Sequence, residues 1–140
     1  MKPEHIIVHH SATADSDTFS WNAIRRYHVQ TLGWRDIGYH YGVELVGREV
    51  NIMVGRMSNE YGAHCRGGDM NRKSLGVCFV GNYDAGLVSA AMMASGLRLV
   101  RALIDIFNID PANVHGHNEF SSKTCPGKLF DMDAFRVKLQ

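Results

Sequence analysis

No run of apolar residues in this chain is long enough to cross a bilayer. The N-terminal Met1, Lys2, Pro3, Glu4, His5 also lacks the positive stretch followed by a long apolar one that marks a secretory leader. The expectation is a protein without membrane insertion, held in the cytoplasm until something releases it. Blocks of lysine or arginine are missing too: 15 basic residues are spread against 14 acidic ones, so nothing would track a phosphate backbone and nucleic acid is not an expected partner. Cysteine is scarce. Three, at Cys65, Cys78 and Cys125, make an odd number for a disulfide framework, and Cys78 lies in an apolar, strand-like run where burial as a small hydrophobe is the ordinary outcome. Internal repeats, low-complexity tracts and linkers are absent, so residues 1–140 read as one domain, large enough to bury a core without disulfides.

What the chain has in excess is histidine, eight in 140 residues. Several stand at predicted strand ends or in glycine-rich loops, where side chains converge on clefts. The run His5 to His9 reads as a short buried strand. Ser20 is placed to cap a helix in which Trp21, Ile24, Tyr27 or His28, and Leu32 recur at helical spacing until Gly33. Alternation from Tyr41 to Val46, a turn at Gly47 and Arg48, and renewed alternation through Val50, Ile52 and Val54 predict a β-hairpin. Tyr61 to Lys73 is polar and glycine-rich, which is loop chemistry, and Leu75 to Val80 resumes as a strand. The stretch from Ser89 to Asn108 carries the longest helical apolar face, Val114 leads into His115, Gly116, His117, and a last helix is expected over Asp131 to Leu139. Together these predict an α/β fold, a single domain with a central mixed sheet packed by helices.

Chemistry concentrates at two places. The segment His117 to Gly127 holds an imidazole, the Lys123 amine and the Cys125 thiol in one loop that Pro126 stiffens, and the first strand ends in His9, His10. Two imidazoles and a thiolate could give a zinc ion three ligands and leave a fourth position for water. Each residue alone also has an ordinary reading: His9 as a strand-end histidine bonded to backbone, His117 as a loop residue, Cys125 as a small buried hydrophobe. Adjacent strand residues point to opposite faces, so only one of His9 and His10 is expected to reach such a site.

The strings IIVHHSAT, DIGYHYGVEL, GAHCRGGDMNRKSLGVCFVGNY and VHGHNEFSSKTCPG, in that order, resemble the zinc-dependent N-acetylmuramoyl-L-alanine amidases, a family that includes amidase-type phage lysozymes and animal peptidoglycan recognition proteins. The resemblance runs from about Ile6 to Gly127. It implies one Zn2+ per chain held by His9, His117 and Cys125, with Tyr39 and Lys123 at catalytic positions and His64 and Asn71 along the substrate groove. The implied reaction is hydrolysis of the amide between N-acetylmuramic acid and L-alanine in bacterial peptidoglycan, with cell-wall lysis or remodelling as its result. The alternative is a module that binds peptidoglycan without cutting it, a role that would not require the full ligand set plus Tyr39 and Lys123. His10 stands where phage relatives commonly have cysteine and should alter packing rather than the metal site. Glu119 has two readings, a carboxylate that orients a ligand imidazole or a plain exposed glutamate. A regulatory protein partner, known for some phage lysozymes of this type, has no specific support in the residues, and a monomer is expected.

Overall fold

The computed structural model describes residues 1–14 and 19–140. Five strands form one sheet: β1 (His5–His10), β2 (Tyr41–Val46), β3 (Glu49–Val54), β4 (Ser74–Phe79) and β5 (Val114–Gly116), in the order β3-β2-β4-β1-β5. β1 runs parallel to β4 and β5, β2 runs parallel to β4, and the hairpin partners β2 and β3 are antiparallel. The sheet is therefore mixed, as the alternation pattern and the hairpin turn imply. β1 and β4 lie at its centre and are buried on both faces, which is why they read as nearly continuous apolar runs.

The period-2 alternation of those strands divides the interior. Ile6, Val8, Leu75, Val77 and Phe79 point to one face, where Leu97, Val100 and Leu103 of the long helix α3 (Ala90–Phe107) cover them. Gly96 lets α3 come close: a Cβ there would sit 2.2 Å from the Phe79 ring. Ile7, on the opposite face, packs with Cys65, Met70 and Phe120, and Cys78 with Trp21, Ile37 and Val80. His5 and His9 share that second face, which loops rather than a long helix cover. The fold thus leaves a cleft on the His9 side of the sheet.

Most sequence-predicted ends hold. Ser89 accepts from the Met92 amide to start α3, Asn108 ends it in the left-handed region, and Asp131 caps the last helix through the Ala134 amide. Within the stretch read as loop, a 3-10 turn (Gly67–Asp69) leads into a short helix α2 (Met70–Lys73), where Met70 is buried against Ile7 and Phe120.

The helix α1 (Ser20–Arg26) departs from expectation. Its Ser20 hydroxyl does not cap it: the N-cap position is Phe19, and the amides of Ser20 and Trp21 donate to the two carboxylate oxygens of Glu44 on β2. Glu44 is fully buried, so a strand 24 residues away supplies the acceptor that the orphan amides require. After Arg26 the helix widens into a π turn over Tyr27–Thr31, before Gly33 turns the chain at positive φ. Glu44→Ala leaves two helix-end donors without an acceptor and is expected to cost about 1–3 kcal/mol. Urea unfolding would read this as a lower midpoint at unchanged slope, and an unshifted midpoint would refute the capping role.

Candidate metal centre and active site

Three pieces of chain converge where β1 ends. His9, on the cleft side of β1, is 1% exposed. β5 runs parallel to β1 with Val8 opposite Gly116, so His117, one residue beyond the strand, arrives beside His9 with ring centroids 4.6 Å apart. The chain then loops and returns Cys125 to the same point. That return is held by the Asn118 amide donating to the Cys125 carbonyl at 2.6 Å and by Asp84, whose carboxylate accepts from the Thr124 hydroxyl and the Lys128 amide at 2.7 and 2.8 Å. The Cys125-Pro126 peptide is cis.

The donor atoms of His9, His117 and Cys125 all lie within 4.8 Å of one another. Cys125 Sγ is 3.6 Å from His9 Nδ1 and accepts the His10 backbone N–H at 3.4 Å. Burial, reinforced by the neighbouring His64 and His117, holds the His9 imidazole well below its ordinary pKa, and burial and the Lys123 charge lower His117. Both rings therefore present neutral lone pairs at neutral pH. Burial pushes the Cys125 thiol up to about 11, the His10 amide and Lys123 offsetting this only in part. A bound cation would have to displace that thiol proton. Two imidazoles and one thiol suit a transition-metal cation rather than calcium or magnesium.

Tyr39 and Lys123 line the cleft above this centre, a space of about 550 Å³. The Tyr39 ring lies 5.2 Å from that of His9, and burial first, then the nearby Cys78 and Cys125 sulfurs, raises its phenol well above the ordinary value, so it stays a neutral O–H. Among the described residues no ion pair engages Lys123, yet its charge reaches His9, His117 and Cys125. His64 lies at the same centre, its Nδ1 2.9 Å from His9 Nε2. Asn71 is on the neighbouring stretch of groove, with its side-chain oxygen already accepting from the amides of His64 and Cys65 at 2.7 and 2.8 Å.

His10 turns away, as strand alternation requires, and its Nδ1 accepts from the Tyr83 amide at 3.1 Å, although its backbone N–H still reaches the Cys125 sulfur. Glu119 fits neither of its two readings. Its carboxylate accepts from His115 Nδ1, the Gly116 amide and Arg136, so it braces a histidine that is not one of the three converging donors. Burial alone would raise this carboxyl, but those bonds together hold it low. Two groove residues escaped the sequence reading. His28 and Trp34 form an aromatic wall with rings 4.6 Å apart, and His28 Nδ1 accepts from the Gly38 amide at 3.0 Å. His28 looked like one position of an amphipathic helix, and Trp34 follows the helix-ending Gly33 with no motif to single it out.

The family model described as N-acetylmuramoyl-L-alanine amidase matches residues 1–128 of this chain. The chain belongs to that amidase family. Among relatives of the amidase, the endolysin of Escherichia phage T7 is 32% identical over 130 residues, spanning 91% of this chain and 81% of its own length. The structure is similar to that of the N-acetylmuramoyl-L-alanine amidase LysC from Clostridium intestinale URNW, with a TM-score of 0.83 and 26% identity over 99% of this chain and 85% of the other. It is similar as well to a variant of Drosophila PGRP-LB in complex with tracheal cytotoxin, with a TM-score of 0.80 and 27% identity over 95% and 80% of the two chains. The amidase fold and the hydrolytic reaction class expected from the four ordered motifs therefore both hold.

Proposed function

We propose that this amidase is a single zinc-dependent catalytic domain that cuts peptidoglycan between N-acetylmuramic acid and L-alanine, with His9, His117 and Cys125 as its metal ligands. The convergence of their three donor atoms within 4.8 Å at the base of a cleft carries the reading. The spacing fits the ion: zinc–sulfur and zinc–nitrogen bonds of about 2.3 and 2.05 Å at a tetrahedral angle require sulfur and nitrogen about 3.6 Å apart, and Cys125 Sγ and His9 Nδ1 are 3.6 Å apart. Similarity to a structure with bound tracheal cytotoxin supports a muropeptide as the occupant of the cleft.

An amide is a poor electrophile, so the site must both activate water and stabilise a tetrahedral oxyanion. His9, His117 and Cys125 would hold the zinc, which would supply Lewis acidity and bring the pKa of an attacking water down to roughly 7. The chain contributes the rest. Lys123, which makes no ion pair among the described residues, adds positive charge where the oxyanion forms. Tyr39, kept protonated by burial, offers an O–H that orients the water or bonds the developing charge. One of these two groups delivers the proton to the leaving alanine amine.

Digestion of purified cell wall tests the function. Free alanine amines should appear without new reducing sugar ends, and a chelator should stop the release. New reducing ends would make the protein a glycan-cutting enzyme, and binding without release would make it a recognition module.

A further inference from the structure

We propose that His64 is a positioning residue that holds the His9 imidazole in the orientation and tautomer needed for Nδ1 to bind the metal. This rests on the zinc reading above and gives His64 a different duty from contact with substrate.

The two nitrogens of His9 are already divided between partners. Nδ1 faces the Cys125 sulfur at 3.6 Å, while Nε2 faces His64 Nδ1 at 2.9 Å. A neutral imidazole that gives Nδ1 to an ion carries its proton on Nε2, so His9 then donates and His64 Nδ1 accepts. A metal-bound histidine commonly donates its second N–H to such an acceptor, which fixes the ring and raises its basicity as a ligand. A histidine in this role is unusual, because its other nitrogen must then carry a proton of its own.

That proton sits in an enclosed place: His64 Nε2 is fully buried and makes no hydrogen bond of good geometry, while the Ser74 backbone acts on the ring as an acceptor. The ring is clamped in place. A Cβ at Gly76 would lie 2.7 Å from it and one at Gly62 2.4 Å, so glycine on both sides is what admits the ring. The His64 amide is bonded to Asn71 Oδ1, and the His40 ring meets the His64 ring edge-on at 5.6 Å. With Nδ1 engaged by His9 and Nε2 enclosed, neither nitrogen is available to a muropeptide in the groove.

The test is zinc affinity by chelator competition on the folded protein, with folding checked by circular dichroism. His64→Ala should bind zinc about 10- to 100-fold more weakly than the wild type. His64→Asn, whose side-chain oxygen replaces the Nδ1 acceptor, should recover most of that loss. Should the alanine variant not fold, His64→Leu fills the space without an acceptor and is expected to show the same weakening. Wild-type affinity in the alanine or leucine variant, or a raised KM with zinc binding intact, would overturn the inference and return His64 to the substrate groove. An asparagine variant as weak as the alanine one would also overturn it. Absence of zinc binding by the wild type would instead bring down the metal reading, and this inference with it.

Discussion

Cys125→Ser is expected to strip the amidase of the proposed zinc while leaving the fold intact. Cys125 is 8% exposed, and its sulfur is held by the His10 amide and set 3.6 Å from His9 Nδ1 by a loop that Asp84 fastens through Thr124 and Lys128. Serine fits the same space, and the loop bonds do not involve the side chain it replaces, so destabilisation should be slight. The chemical change is large. A thiolate is a soft, strong zinc ligand, whereas an alcohol gives up its proton far less readily and binds zinc poorly even at the right distance. Removing one of three protein ligands should weaken zinc by on the order of 100-fold or more, and activity should fall with it. Dialysis against a chelator followed by metal analysis would show one zinc per chain retained by the wild type and little by the variant. Equal retention would mean that Cys125 is a buried hydrophobe and that the metal lies elsewhere.

Lys123→Ala should have the opposite signature: full zinc content and a turnover lower by about 10²- to 10³-fold, or roughly 2.7–4 kcal/mol of transition-state stabilisation. The ammonium is not a ligand, it lines the cleft, and among the described residues no ion pair neutralises it. Its field nevertheless reaches all three proposed ligands, which places it close to the charge the reaction creates. Tyr39→Phe should behave similarly, since it removes a single O–H and keeps the ring beside His9. In both variants kcat rather than KM should carry the loss, because an interaction made mainly in the transition state leaves ground-state binding unchanged. Zinc loss, or undiminished turnover, would sink this division between ligands and catalytic groups.

These variants separate what was legible in the sequence from what was not. Local rules located the long helix to within a residue at each end, because Ser89 and Asn108 carry their own capping chemistry. They failed at the first helix, where Ser20 had the residue type of a cap but Glu44, distant in sequence and buried under the helix end, performs the task. The same limit applies at the site. The motifs were sufficient to name His9, His117 and Cys125 together with Tyr39 and Lys123, and alternation along β1 was sufficient to send His10 the other way.

The partners of these residues depended on the third dimension. Glu119 lies two residues from His117 in sequence, yet it braces His115, because its side chain reaches back to the Gly116 amide at the start of the turn after β5. His64 could be assigned to a groove from its motif, but its bond to His9 and its enclosed Nε2 exist only because Gly62 and Gly76 leave room for the ring. Residue types, spacing and alternation were therefore enough for the family, most of the elements and the candidate ligands, since those are properties of a segment. Which nitrogen of His9 faces Cys125, which ring meets its other nitrogen and which carboxylate closes a helix were decided by packing between segments, where neighbours in space are strangers in sequence.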